Sequence, residues 1–146
     1  MIRKILVCLD GSDYANRALD FALDLANKYS AEIQLLTVVP PVFLPVTSFE
    51  VMKTEAIADA TMQLENSFKK VLSKAEEKAK KVKPNLKVST KFDQGSPDEK
   101  IIETANRGNF DIVVIGSRGL GHRDCSLGSV SARVVDQATC PVLIVK

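Results

Sequence analysis

Apolar stretches long enough to cross a bilayer are missing from this chain of 146 residues: runs such as Ile112 to Ile115 and Val142 to Val145 have the length of a strand, against the roughly 20 residues a spanning helix needs. With no such span and no signal-like leader, the expected location is cytoplasmic and no membrane contact is expected. A charge excess is missing too. Twenty Lys and Arg against 18 Asp and Glu leave a formal net charge of +2, too little to argue for a nucleic-acid partner. The lysines that crowd between Lys69 and Lys83 are interspersed with Glu76 and Glu77 and carry no aromatic interleaving, so they read as the solvated face of a helix whose C-terminal dipole they complement. Histidine occurs once, at His122, which rules out assigning a Ser-His-Asp constellation. The three cysteines show no metal-ligand spacing. Cys8 and Cys140 read as small core residues, Cys125 as a thiol of open exposure, and His122 with Asp124 and Cys125 suits no compact metal motif. Asp10 and Asp13 serve equally well as turn and cap residues. No catalytic residue and no metal ligand is therefore assigned. Finally, no Gly-Lys-Ser/Thr and no Gly-x-Gly-x-x-Gly occurs, which excludes the two commonest phosphate loops.

What is present is an alternation of two periodicities. Ile2 to Leu9 is apolar and β-rich, as a strand buried on both faces must be. Asp10-Gly11-Ser12-Asp13 then combines a turn with N-cap residues. Ala15, Ala18, Leu19, Ala22, Leu25 and Ala26 recur at steps of three and four, predicting a helix over Tyr14 to Tyr29. Glu32 to Val39 is a second strand, ended by Pro40, Pro41 and Pro45. A long helical pattern starts near Ser48 or Thr54 and runs to Val82; Leu86 to Phe92 alternates as an edge-type strand. Ser96-Pro97-Asp98-Glu99 reads as a capping box with proline at the first helical position, and Gly108 as the C-cap. Phe110 to Ile115 predicts a central strand, Val130, Val134, Val135 and Ala138 a last helix, and Pro141 to Val145 a last strand. The alternation βαβαβαβαβ, without repeats or low-complexity segments, predicts a single-domain α/β fold with an open parallel five-stranded sheet and helices on both faces.

One stretch carries chemistry. Val113-Val114-Ile115-Gly116-Ser117-Arg118-Gly119 followed by Gly128-Ser129-Val130-Ser131 is a buried strand that stops at glycine and leads to a helix N-terminus. Glycines admit positive φ and close approach, the hydroxyls of Ser129 and Ser131 offer donors, and the helix end carries partial positive charge, so a phosphate suits the turn. If the strand order is 3-2-1-4-5, Asp10-Gly11-Ser12 and the Gly116-to-Ser131 connection share the crevice where the winding reverses.

With these residues the chain resembles the universal stress protein family along essentially its whole length. The resemblance rests on Lys4-Ile5-Leu6-Val7 running into Asp10-Gly11-Ser12, on Gly95-x-Pro97, on Asp111 to Gly119, on Leu127-Gly128-Ser129-Val130, and on the Cys140-Pro141-Val142-Leu143-Ile144-Val145 ending. It implies a Rossmann-like or flavodoxin-like sheet of order 3-2-1-4-5, a homodimer paired through Val142 to Val145, and a regulatory stress-response module that binds ATP, with Mg2+, or another adenine nucleotide and hydrolyses it slowly at most. It places Asp10 near the ribose, the Val38 backbone on the adenine, Gly116, Arg118 and Gly119 around the ribose and first phosphates, and Gly128, Ser129, Val130 and Ser131 on the distal phosphates. The family's ATP-binding branch carries Gly-x2-Gly-x9-Gly-Ser/Thr, whereas the spacer here, Leu120 to Leu127, has eight residues and contains Asp124. A nucleotide-independent dimeric signalling or partner-binding module of the same fold is the alternative.

Overall fold

The computed structural model describes residues 1–43, 53–120 and 126–146. Five strands, β1 (Lys4–Cys8), β2 (Glu32–Val39), β3 (Val88–Gln94), β4 (Ile112–Gly116) and β5 (Val142–Val145), alternate with four helices, α1 (Asp13–Tyr29), α2 (Lys53–Val82), α3 (Pro97–Arg107) and α4 (Ser129–Gln137). All pairings are parallel, as the alternation predicts, and the order is β3-β2-β1-β4-β5, as the resemblance implies. β1 lies at the centre; β4 is interior but sits between β1 and β5.

The two faces of the sheet follow from the two-residue period of a strand. Ile5 and Val7 pack with Ile33, Leu35 and Val114 beneath α1 and α2, where the small Ala15, Ala18, Ala22 and Ala26 let α1 lie close. Leu6 and Cys8 point to the other face, with Leu36, Val38, Val113 and Ile115 beneath α3 and α4. Ile5, Leu6 and Val7 are wholly buried, and each such side chain contributes about 1.5–3 kcal/mol.

Several boundaries differ from the sequence pattern for identifiable reasons. β3 spans Val88 to Gln94 rather than Leu86 to Phe92, because its length is set by its partner: Ile33 pairs with Val88 and Val39 with Gln94. In α1 Leu23, three and four residues from Ala26 and Leu19, is fully buried, whereas Leu25 is only partly so. α2 begins at Lys53; the alternative start at Ser48 and the loop residue Pro45 lie outside the described residues. β4 begins at Ile112 because Asn109 turns the chain at φ 52, leaving Phe110 buried but outside the strand. Gly108 is the C-cap of α3 but keeps a right-handed φ of −88, so the left-handed position falls to Asn109 instead. In α4 Val134 is buried while Val135 is exposed.

The capping box at α3 does not form. Ser96 holds the N-cap position, but its hydroxyl donates to Asp98 Oδ1 at 2.5 Å instead of accepting from the helix. The buried Asp98 also receives Arg133 from α4, and so ties the two helices of that face together. The Ser96 hydroxyl first, and then the Glu99 amide and Arg133, hold the Asp98 carboxyl below its ordinary range despite burial. A lowered folded-state pKa gives stability that is complete above the unfolded value near 4 and is lost as pH falls through the folded value. Urea unfolding should therefore show Asp98→Ala less stable than wild type by about 2 kcal/mol at neutral pH. The gap should close progressively below about pH 4.

Candidate functional site

At the C-terminal ends of β1 and β4 the winding reverses, and a cleft of about 400 Å³ opens there. All nine residues singled out from sequence line it: Asp10, Val38, Gly116, Arg118, Gly119, Gly128, Ser129, Val130 and Ser131. The cleft has two chemically distinct parts. Leu36 and Val38 of β2, Pro40 just after it, Phe68 of α2, and Pro97 and Ile101 of α3 make an apolar part; Asp10, Arg118 and the start of α4 make a polar one.

The apolar part was only partly legible in the sequence. Phe68 fits the core-facing stripe of a long helix, and Pro97 fits a helix start. That both reach one cleft follows from α2 and α3 packing over opposite faces of the sheet and each lining the cleft at its end. Nothing in local periodicity carries that information.

In the polar part the glycines act for reasons other than backbone freedom. Positive φ is found at Gly11, φ 86, and not at Gly116, Gly119 or Gly128. A Cβ on Gly116 would lie 2.8 Å from Tyr14 Cβ, 2.9 Å from its carbonyl carbon and 3.0 Å from the Ala15 nitrogen, so this position is glycine because the first turn of α1 rests on the end of β4. A Cβ on Gly119 would lie 2.7 Å from Asp10 Oδ2, which brings the β1–α1 turn against the β4–α4 connection. The other Asp10 oxygen, Oδ1, accepts the Ser12 amide at 2.9 Å, and Ser12 caps α1 by accepting from Ala15 at 3.1 Å.

The Ser131 hydroxyl is not a free donor, contrary to the sequence reading. It is buried and faces the carbonyls of Ser117, at 2.9 Å, and Gly128, at 3.0 Å. What α4 does present is backbone. Its first internal bond runs from the Ala132 amide to the Gly128 carbonyl, so the amides of Ser129, Val130 and Ser131 have no acceptor within the helix. These amides and the helix dipole favour an anion, and Ser129 is exposed beside them.

Of the charged side chains that line the cleft, Asp10 is anionic and Arg118 cationic. Arg118 Nε donates to the Ser126 carbonyl at 3.1 Å, and its Nη1 to the Tyr14 hydroxyl at 2.8 Å. Burial first, then the charge of Asp10, pushes the Cys8 thiol far up, so this lining residue stays protonated and is a poor nucleophile. Among the described residues no group of three His, Cys, Asp or Glu could hold a metal ion. His122, Arg123, Asp124 and Cys125 lie outside the described residues.

A larger and more open groove, about 710 Å³, lies at the opposite end of the sheet. Its lysines are already engaged: Lys4 on the Gly108 carbonyl, Lys83 on the Asn27 carbonyl and Lys87 on Glu32. The C-terminal ends of α1 and α2 adjoin it at Ser30 and Lys83, and the negative ends of their dipoles disfavour an anion there. The smaller cleft is therefore the one built for a ligand with an apolar body and a negative end.

Because Gly116 meets backbone atoms as well as a side chain, Gly116→Ala should destabilise the fold by about 1–3 kcal/mol whether or not a ligand is present. Chemical denaturation of the ligand-free protein checks this, and an unchanged midpoint would mean that α1 can move away from β4.

The chain matches the family model described as the universal stress protein family over residues 1–146. It is 33% identical over 150 residues to universal stress protein YxiE of Bacillus subtilis, covering all of both chains. It is likewise 33% identical over 150 residues to universal stress protein MJ0531 of Methanocaldococcus jannaschii, covering all of this chain and 83% of that one. Among solved structures, a universal stress protein in complex with cAMP superposes with a TM-score of 0.71 at 25% identity, over 99% of this chain and 97% of that chain. This full-length match, on a sheet of order β3-β2-β1-β4-β5, shows that the chain belongs to the universal stress protein family.

Proposed function

We propose that the cleft binds an adenine nucleotide and that the chain is a regulatory module of the stress response switched by that ligand. The observation that carries this reading is the polarity of the cleft, an apolar part ending at Val38, Phe68 and Ile101 and, at the other end, a helix N-terminus whose first amides have no acceptor among the described residues. A flat heterocycle suits the first and a phosphate the second. The cAMP held by the related protein supports the same class of ligand. In this reading the Val38 backbone meets the adenine, Asp10 the ribose, Gly116, Arg118 and Gly119 the ribose and first phosphates, and Gly128, Ser129, Val130 and Ser131 the distal phosphates, Ser131 through its amide. ATP with Mg2+ is the fullest occupant, hydrolysed slowly at most; other adenine nucleotides fit the same frame.

A homodimer through Val142 to Val145 belongs to the same proposal. Among the described residues β5 is an edge of the sheet, paired with β4 alone, and an apolar edge strand of this kind invites a second copy. That edge, together with the eight-residue spacer between Gly119 and Gly128, also supports the second reading, a dimeric partner-binding module that needs no nucleotide. No helix among the described residues is long and apolar enough to cross a membrane; the place proposed for either version is the cytoplasm.

Isothermal titration with ATP–Mg2+, AMP and cAMP, together with mass spectrometry of small molecules released on denaturation, separates the two readings. Binding of at least one of the three is expected; silence in both experiments leaves the nucleotide-free module. A sharper variant is Ser129→Asp. Its carboxylate at the α4 N-terminus should leave thermal stability unchanged or raised, while nucleotide affinity falls by about tenfold or more through repulsion of the phosphate. Equilibrium sedimentation tests the dimer, for which a mass of twice the chain is expected.

A further inference from the structure

Arg118 is tied to more of the protein than its place in the cleft requires. Its Nε donates to the Ser126 carbonyl at 3.1 Å and its Nη1 to the Tyr14 hydroxyl at 2.8 Å, with the guanidinium carbon 5.4 Å from the centre of the Tyr14 ring. Arg17 lies 4.6 Å from the same centre. Tyr14 stands against the end of β4, its Cβ and backbone filling the space beside Gly116 that a side chain there would need. Ser126 stands two residues before Gly128, whose amide donates to the Ser117 carbonyl at 2.8 Å.

One side chain therefore spans the residue entering the Gly119-to-Gly128 connection, the residue near its exit, and the first turn of α1. The planar fork of arginine makes this possible: two N–H groups diverge to two acceptors while the guanidinium carbon stays within 5.4 Å of the ring centre. Lysine, a point charge on a flexible stem, cannot hold both acceptors in that fixed geometry.

We propose that Tyr14 and Arg118 are positioning residues for the phosphate side of the cleft, acting as a strap that holds the entry and exit of this connection in register with α1; the proposal rests on the nucleotide reading above. The strap sets where Gly119 and the amides of Ser129 to Ser131 stand relative to Asp10. Without it these groups are ordered only when the ligand arrives, and the ordering entropy is subtracted from affinity. Arg118 thus acts by holding the two described ends of the connection against α1, and its charge on the phosphate is secondary. The apolar part, built from Val38, Phe68 and Ile101 on other elements, does not depend on the strap.

The test is calorimetric titration of adenosine, AMP and ATP–Mg2+ into wild type, Tyr14→Phe, Arg118→Lys and the double variant, with thermal midpoints measured without ligand. Tyr14→Phe keeps the ring and removes only the acceptor; if it does not fold, Arg118→Lys carries the test. Each single variant should weaken AMP and ATP by about tenfold, the worth of a charge-assisted hydrogen bond, and leave adenosine within about twofold. The double variant should be no weaker than either single one, because the two residues form one device. Arg118→Lys binding AMP and ATP as wild type does would overturn the proposal, since charge alone would then suffice. Equal loss of adenosine would overturn it too, as general damage to the cleft. A wild type that binds none of the three ligands removes the nucleotide reading itself, whereas a wild type that binds while both variants match it sinks the strap alone.

Discussion

The contact between the first turn of α1 and the end of β4 is the constraint on which the rest of this site depends. At Gly116 there is no room for a methyl group, because Tyr14 and Ala15 already stand there. That close approach draws the Asp10-Gly11-Ser12 turn and the β4–α4 connection to one crevice. It also puts Asp10 beside Gly119 and Tyr14 beside Arg118. A bulkier strand end would push α1 outward and open the crevice into a surface.

Around that contact the cleft is arranged by polarity rather than by charge. Its described lining has one carboxylate and one guanidinium, which offset each other, so attraction for an anion falls to the amides at the start of α4, which have no acceptor within the helix. Backbone amides are fixed donors and need no side-chain ordering on binding. The same economy explains why Ser131 turns its hydroxyl to the carbonyls of Ser117 and Gly128: it locks the turn that aims those amides. Cys8, buried and protonated, and Ile115 contribute only shape.

The opposite face is held by a different device. Asp98 collects Ser96 and Arg133 and so fixes α3 against α4. Pro97 and Ile101 line the apolar part of the cleft while α4 supplies the polar one, so this junction sets the distance between the two parts. A capping box would have given α3 a better start and left that distance free.

Local sequence determined the elements and their order. Period-two and period-three-to-four patterns are properties of neighbouring residues, and they gave the five strands, the four helices and the parallel sheet. The glycine frame from Gly116 to Ser129 was equally legible, since a strand that halts at glycine before a hydroxyl-rich helix start is a local signal. What only the tertiary structure decided is the meaning of those residues. Gly116 answers to Tyr14, 102 positions earlier in the chain, and Gly119 answers to Asp10, 109 positions earlier. Phe68 and Ile101 become cleft residues through packing on opposite faces, and Arg118 finds Tyr14 and Ser126 only when three segments meet. The physical reason is that periodicity reports which side of an element is buried, whereas a close approach between elements depends on how their surfaces interlock across the fold.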